Sequence, residues 1–120
     1  MHSKLRQVLP NIERRLSQPD IEFFKIGKSN DSRRRFSEYE EPLHFLGIVA
    51  TGHADTINQA ECDLINHFRG NAKCINENAG GGGNENATEL YIVAKKQNGE
   101  HLEHLLEPSS LFDFETINLI

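Results

Sequence analysis

Cations are missing from the end of this 120-residue chain, because no Lys or Arg follows Lys96. The tail NGEHLEHLLEPSSLFDFETINLI instead carries Glu100, Glu103, Glu107, Asp113 and Glu115. Most of the cations lie in the first 35 residues: Lys4, Arg6, Arg14, Arg15, Lys25, Lys28, Arg33, Arg34 and Arg35. This asymmetry implies a basic working face and an acidic appendage over 99–120, one that either solvates a side of the domain or docks on a protein partner.

Cysteine is also scarce. Cys62 and Cys74 are the only two, too few for a disulfide framework, and the expectation is a reduced, cytoplasmic setting. Neither has a partner at C-x₂₋₄-C spacing, so a zinc site built from them with His67, His101 or His104 is not expected. Long apolar runs are absent, none approaching the ~18 residues that span a bilayer, so no membrane segment is expected. The start MHSKLRQVLPNIERRL has no continuous apolar stretch and is not read as a signal peptide.

What remains fits one soluble domain. Hydrophobic content of 37% and charged content of 26% are ordinary for a globular chain, and no repeat or internal boundary divides residues 1–120. A net charge of −5 argues against a protein that coats nucleic acid non-specifically, but leaves room for a local basic site.

Periodicity places the elements. Residues 3–17 read as a helix with Ser3 as N-cap, Leu5, Val8, Leu9, Ile12 and Leu16 on one stripe, and Pro10 expected to kink or split it; the whole helical segment runs to about residue 20. Ile21 to Lys28 reads as a strand, and Ser32 to Glu40 as a helix ended by Pro42. His44 to Thr51 (HFLGIVAT) is a second strand, apolar enough to be covered on both faces. The helix DTINQAECDLINHF follows, opening at Asp55 or Thr56, with Ile57, Ala60, Leu64, Ile65 and Phe68 on its stripe. Gly80 to Gly83 mark a loop, Glu89 to Lys95 (ELYIVAK) a third strand, and His101 to Glu107 a short helix; Leu111 to Ile120 carry no clear period. The expected fold class is therefore α/β (α+β), a small three-stranded antiparallel sheet flanked by helices.

Two features break the ordinary rules. Arg33, Arg34 and Arg35 open a helix whose N-terminus is already electropositive, an arrangement that costs roughly 0.3–1 kcal/mol per cation unless an anion lies nearby. Glu61 sits on the apolar stripe of DTINQAECDLINHF, where an ionised carboxylate needs an ion-pair partner, an exit to solvent or a bound cation. Arg35 and Tyr39, at i and i+4, share a helix face. A guanidinium, a phenol, a cleft carboxylate and a glycine turn together suit hydrolysis of a phosphodiester. Read plainly, Arg33 and Arg34 solvate a surface and Tyr39 caps a core. Lys28 after Gly27 is not a phosphate loop, because the upstream glycine of that motif is absent.

The run G27-K-S-N-D-S-R-R-R35-F-S-E-Y39, followed by a strand and by Glu61 in AECDLINHF, resembles the GIY-YIG nuclease superfamily, in particular its phage and bacterial branch whose second motif reads KIG. The likeness covers roughly residues 21 to 78. It implies a small α/β domain that cuts DNA with one Mg²⁺ or Mn²⁺. By motif position Arg35 would contact the scissile phosphate, Glu61 would hold the metal, and Tyr39 would lie near the attacking water. Gly27, Lys28 and Arg34 would line the phosphate site with Asn76, for which Asn71 and Asn78 are alternatives. Lys25 stands where the second motif has tyrosine, as a phosphate contact or a base. No GIY strand precedes Phe23. One arrangement completes the sheet with ELYIVAK, a permuted order placing Tyr91 where the first motif's tyrosine belongs. The resemblance leaves two outcomes, an active endonuclease or a silent module that binds DNA or a protein through the same basic face.

Overall fold

A computed structural model describes residues 1–40, 43–77, 80, 86–97 and 114–120. Among these residues three helices and four strands follow in the order α1 (Ser3–Leu16), β1 (Ile21–Ser29), α2 (Ser32–Ser37), β2 (Phe45–Thr51), α3 (Ala54–His67), β3 (Glu89–Lys96) and β4 (Ile117–Asn118). The short helix expected over 101–107, the stop at Pro42, Asn78, His101, His104 and Gly81 to Gly83 lie outside the described residues.

The sheet order is β1-β3-β2-β4. Both β1 and β2 run antiparallel to β3, so they are parallel to each other with a gap between them. The last long strand in the chain fills that gap and becomes the centre of the sheet. Its position follows from burial, since Leu90, Tyr91, Ile92, Val93 and Ala94 are all 2% exposed or less, which only a strand with neighbours on both edges and cover on both faces achieves.

Strand alternation sorts the residues of β1 and β3 onto two faces. Phe24, Ile26, Leu90, Ile92 and Ala94 join Leu5, Ile12 and Leu16 of α1 and Ile57, Ala60 and Leu64 of α3 in one core. Phe24 meets Phe68 edge to face at 5.2 Å. Lys25 and Gly27 face the other way with Tyr91, which pairs with Gly27 across the ladder. α2 packs against β1, β2 and β3, and Tyr39, just after it, meets Tyr91 on this second side.

Several expectations need correction. The sheet is mixed and four-stranded, because Ile117 and Asn118 add a parallel strand on Ala50 and Thr51. Leu119 N donates to Thr51 O at 2.8 Å, and the Leu119 side chain is buried. The end of the acidic segment is thus part of the sheet. α1 is unbroken through Pro10: the proline lies on its exposed face, while burial of Leu5, Ile12 and Leu16 holds the helix on either side. His2, rather than Ser3, caps it, Nδ1 accepting from Lys4 N at 3.1 Å. α2 stops at Ser37, so Tyr39 lies beyond the helix. In β2 burial alternates, with Phe45 and Val49 fully covered and Leu46 and Ile48 only half-buried.

One buried cation breaks the pattern of the core. Lys96 is 3% exposed, and its ammonium makes no hydrogen bond among the described residues. It lies 5.3 Å from the Phe45 ring centroid. Burial pulls its pKa below the ordinary lysine value, with Asp20 acting the other way. The folded state therefore holds the proton less firmly than the unfolded chain, and stability rises with pH through the interval between the two pKa values. Lys96→Met is expected to stabilise the protein at pH 7 by about 1 kcal/mol or more and to flatten this rise, as read by urea unfolding at pH 7 and at about pH 10.5, the ordinary lysine value.

Candidate functional site

The functional side chains predicted from sequence gather in two groups around the end of β1. The first lies on the α2 side. Gly27 is the floor: a Cβ built there would come within 2.4 Å of Tyr91 Cζ and Oη, so the aromatic ring lies directly across the glycine. Only hydrogen at that position lets the central strand's tyrosine cross β1. The Tyr91 hydroxyl ends 2.6 Å from that of Tyr39. Arg35 stands over the Tyr39 ring, its guanidinium carbon 5.0 Å from the centroid, and Lys25 Nζ lies 5.6 Å from the same ring. Arg35, Tyr39, Lys25 and Tyr91 are thereby brought together by α2, the segment after it, β1 and β3.

Burial and the hydrogen bond with Tyr39 push the Tyr91 hydroxyl above the ordinary tyrosine range, with Arg35 opposing them. Tyr91 thus keeps its proton. Burial alone would lower the Arg35 pKa, but Tyr39, Tyr91 and Glu38 together raise it, and the guanidinium stays charged.

The arginine triplet has a local explanation that its position in the chain hides. Asp31 Oδ1 accepts from Arg34 N at 3.1 Å, and Glu89 Oε1 accepts from Ser32 N at 2.8 Å. Two of the protein's own carboxylates therefore fill the α2 N-terminus, where an outside anion was expected. Arg34 pairs with Glu38 at 3.2 Å and with Asp31 at 3.9 Å, all three exposed. Arg33 points to solvent. Of the three, Arg35 alone reaches the tyrosines.

The second group lies on the α3 side of β1. Glu61 is buried on its stripe, and Lys28 Nζ lies 4.0 Å from Glu61 Oε1. Asn58, one turn before Glu61 on α3, accepts a short hydrogen bond from the same ammonium. Gly80 passes over the carboxylate in a left-handed conformation, φ +84°, and a Cβ there would meet Glu61 Oε1 at 3.2 Å. Sequence reading missed Asn58, Glu89 and the role of Gly80. Asn58 was findable, at i−3 from Glu61; Glu89 was not, because only the tertiary fold brings it to α2.

Gly27 and Lys28 are consecutive, so one peptide bond joins the two groups. Asn76 does not enter either. Its Oδ1 accepts from Ile26 N and its Nδ2 donates to Ile26 O, both at 2.8 Å. The amide closes the free edge of β1 as a further strand residue would, continuing the bridge between Phe24 and Cys74.

The Glu61 group offers oxygen donors of the kind Mg²⁺ and Mn²⁺ take: Asn58 Oδ1 accepts from the Lys28 ammonium, and Glu61 Oε1 lies 4.0 Å from it. Among the described residues no cluster of three or more His, Cys, Asp and Glu forms. A cation at Glu61 would then complete its shell with water and phosphate oxygens, as Mg²⁺ commonly does. No family model, curated protein or solved structure shows significant similarity to this chain.

Proposed function

We propose that this chain is a metal-dependent DNA endonuclease of GIY-YIG type, in permuted order, with the tyrosine of its first motif supplied by β3. The observation that carries the reading is the Tyr39–Tyr91 hydroxyl pair beside Arg35, above Gly27. A central strand bearing a tyrosine, flanked by the KIG strand, supplies the part that the linear sequence lacks.

The residues divide the chemistry. Arg35 presents a planar donor fork to the scissile phosphate and stabilises charge developing on its oxygens. Lys25 adds a second positive charge on the same face. Tyr91, which keeps its proton, donates to Tyr39 and fixes the orientation of its oxygen, so that Tyr39, as the phenolate, orients the attacking water and takes its proton to become the phenol. Gly27 lets the Tyr91 ring cross β1 to reach Tyr39. Glu61, with Asn58, would hold Mg²⁺ or Mn²⁺, whose contribution when bound is to neutralise the phosphoryl and leaving oxygens.

A second reading has support from one contact. The Lys28–Glu61 pair already balances the buried carboxylate, as a silent DNA-binding module would require. In both readings DNA lies against Arg35 and not Arg33. Arg35→Ala is expected to weaken binding of a short DNA duplex about 10-fold or more, the range for a lost charged hydrogen bond, and Arg33→Ala by about 2-fold or less. Fluorescence anisotropy at fixed salt measures both; equal losses would remove the assignment. The idea that the acidic segment recruits a partner loses its simplest test, because deleting 99–120 also deletes β4 and buried Leu119.

A further inference from the structure

We infer that Lys28 is a resident cation at Glu61, and that a divalent metal enters this site by displacing its ammonium; the inference rests on the metal-dependent reading above. The Lys28 and Glu61 side chains are 4% and 10% exposed, so their charges face each other largely out of water. Asn58 and Glu61 lie one turn apart on α3; the Asn58 oxygen accepts from Nζ, and Glu61 Oε1 lies 4.0 Å from it. The backbone at Gly80 closes over Glu61 Oε1. An ammonium and a divalent ion cannot share this space: the oxygens that hold one are the ligands of the other, and two like charges would face each other with little solvent between them.

An unloaded protein thereby keeps both its carboxylate and its lysine neutralised. Lys28 acts only through the metal in this scheme and is a positioning residue.

The test is Mn²⁺ binding to the full chain without DNA, followed by electron paramagnetic resonance and calorimetry. Lys28→Met, which removes the competing charge, and Asn58→Asp, which adds a carboxylate at a half-buried position, are each expected to tighten Mn²⁺ binding at least about 10-fold. Glu61→Gln is expected to abolish the site. If Lys28→Met folds only when Mn²⁺ is added, the dependence supports exchange, since the metal replaces the lost counter-charge. Unchanged or weaker Mn²⁺ binding in both Lys28→Met and Asn58→Asp would overturn the inference. Because no DNA is present, its failure is separable from that of the nuclease reading. Exchange without cleavage would leave this inference standing, and cleavage without exchange would leave the nuclease.

Discussion

Arg35→Ala is expected to lower DNA cleavage about 10²–10³-fold, the loss typical when one donor to a developing oxyanion is removed, with little change in folding stability. The separation of effects follows from where the residue sits. Arg35 is exposed on the six-residue helix α2, so truncation opens no cavity. Its contacts are the Tyr39 ring and the Tyr91 hydroxyl, both parts of the proposed site. Tyr91→Phe isolates the other component. It keeps the ring across Gly27 and removes only the oxygen that meets Tyr39 at 2.6 Å. A drop of about 10²-fold or more is expected if that hydroxyl orients the proton acceptor. Rates from single-turnover nicking, beside unfolding midpoints for the same variants, check both; a rate loss matched by a stability loss would argue for a structural role.

The largest stability effect is expected at Gly27. An added methyl group would sit 2.4 Å from Tyr91 Cζ and Oη, far inside contact distance. Tyr91 is 2% exposed and its hydroxyl is engaged, so the ring has little freedom to withdraw. Gly27→Ala should therefore destabilise the fold by about 1–3 kcal/mol through overpacking and remove cleavage by displacing Tyr91. Combining it with Tyr91→Ala gives a sharper result. The alanine at 27 should then cost far less than in the wild type, with a coupling energy of about 1–3 kcal/mol for two residues in direct contact. Additive effects in the urea-unfolding cycle would mean that the ring does not lie on the glycine.

These two positions also show what was legible in the sequence. Apolar runs located the three long strands, helical stripes located α1 and α3, and the start signals around Asp31 located α2 among the described residues. Gly27, Arg35, Tyr39 and Glu61 were legible by spacing within one local segment. The order of strands was not. β3 enters between β1 and β2 from far along the chain, and nothing in ELYIVAK distinguishes a central strand from an edge strand except its near-continuous apolar run. The convergence of Tyr91 on Tyr39 was accordingly only one arrangement among several. β4 was missed because two residues have no period; Leu119 and the Thr51 carbonyl define it. The arginine triplet misled for a related reason. Its counter-charges include Glu89, distant in sequence, and no local rule reveals a carboxylate delivered to a helix start by another strand.

Asn76 illustrates the same limit from the other direction. An asparagine after the glutamate helix invites a place in the chemistry, yet its amide is spent on the backbone of Ile26 at the edge of β1. Those two hydrogen bonds give Asn76 a structural role at the edge of β1.

The most direct measurement of the central claim is a nicking assay on supercoiled plasmid and branched DNA with Mg²⁺ or Mn²⁺, run beside Arg35→Ala and Glu61→Gln. The account predicts metal-dependent nicking by the wild type that both substitutions abolish. Failure of the wild type to cut any substrate, with DNA bound equally by wild type and Glu61→Gln, would contradict it and leave a module that grips phosphate without cleaving it.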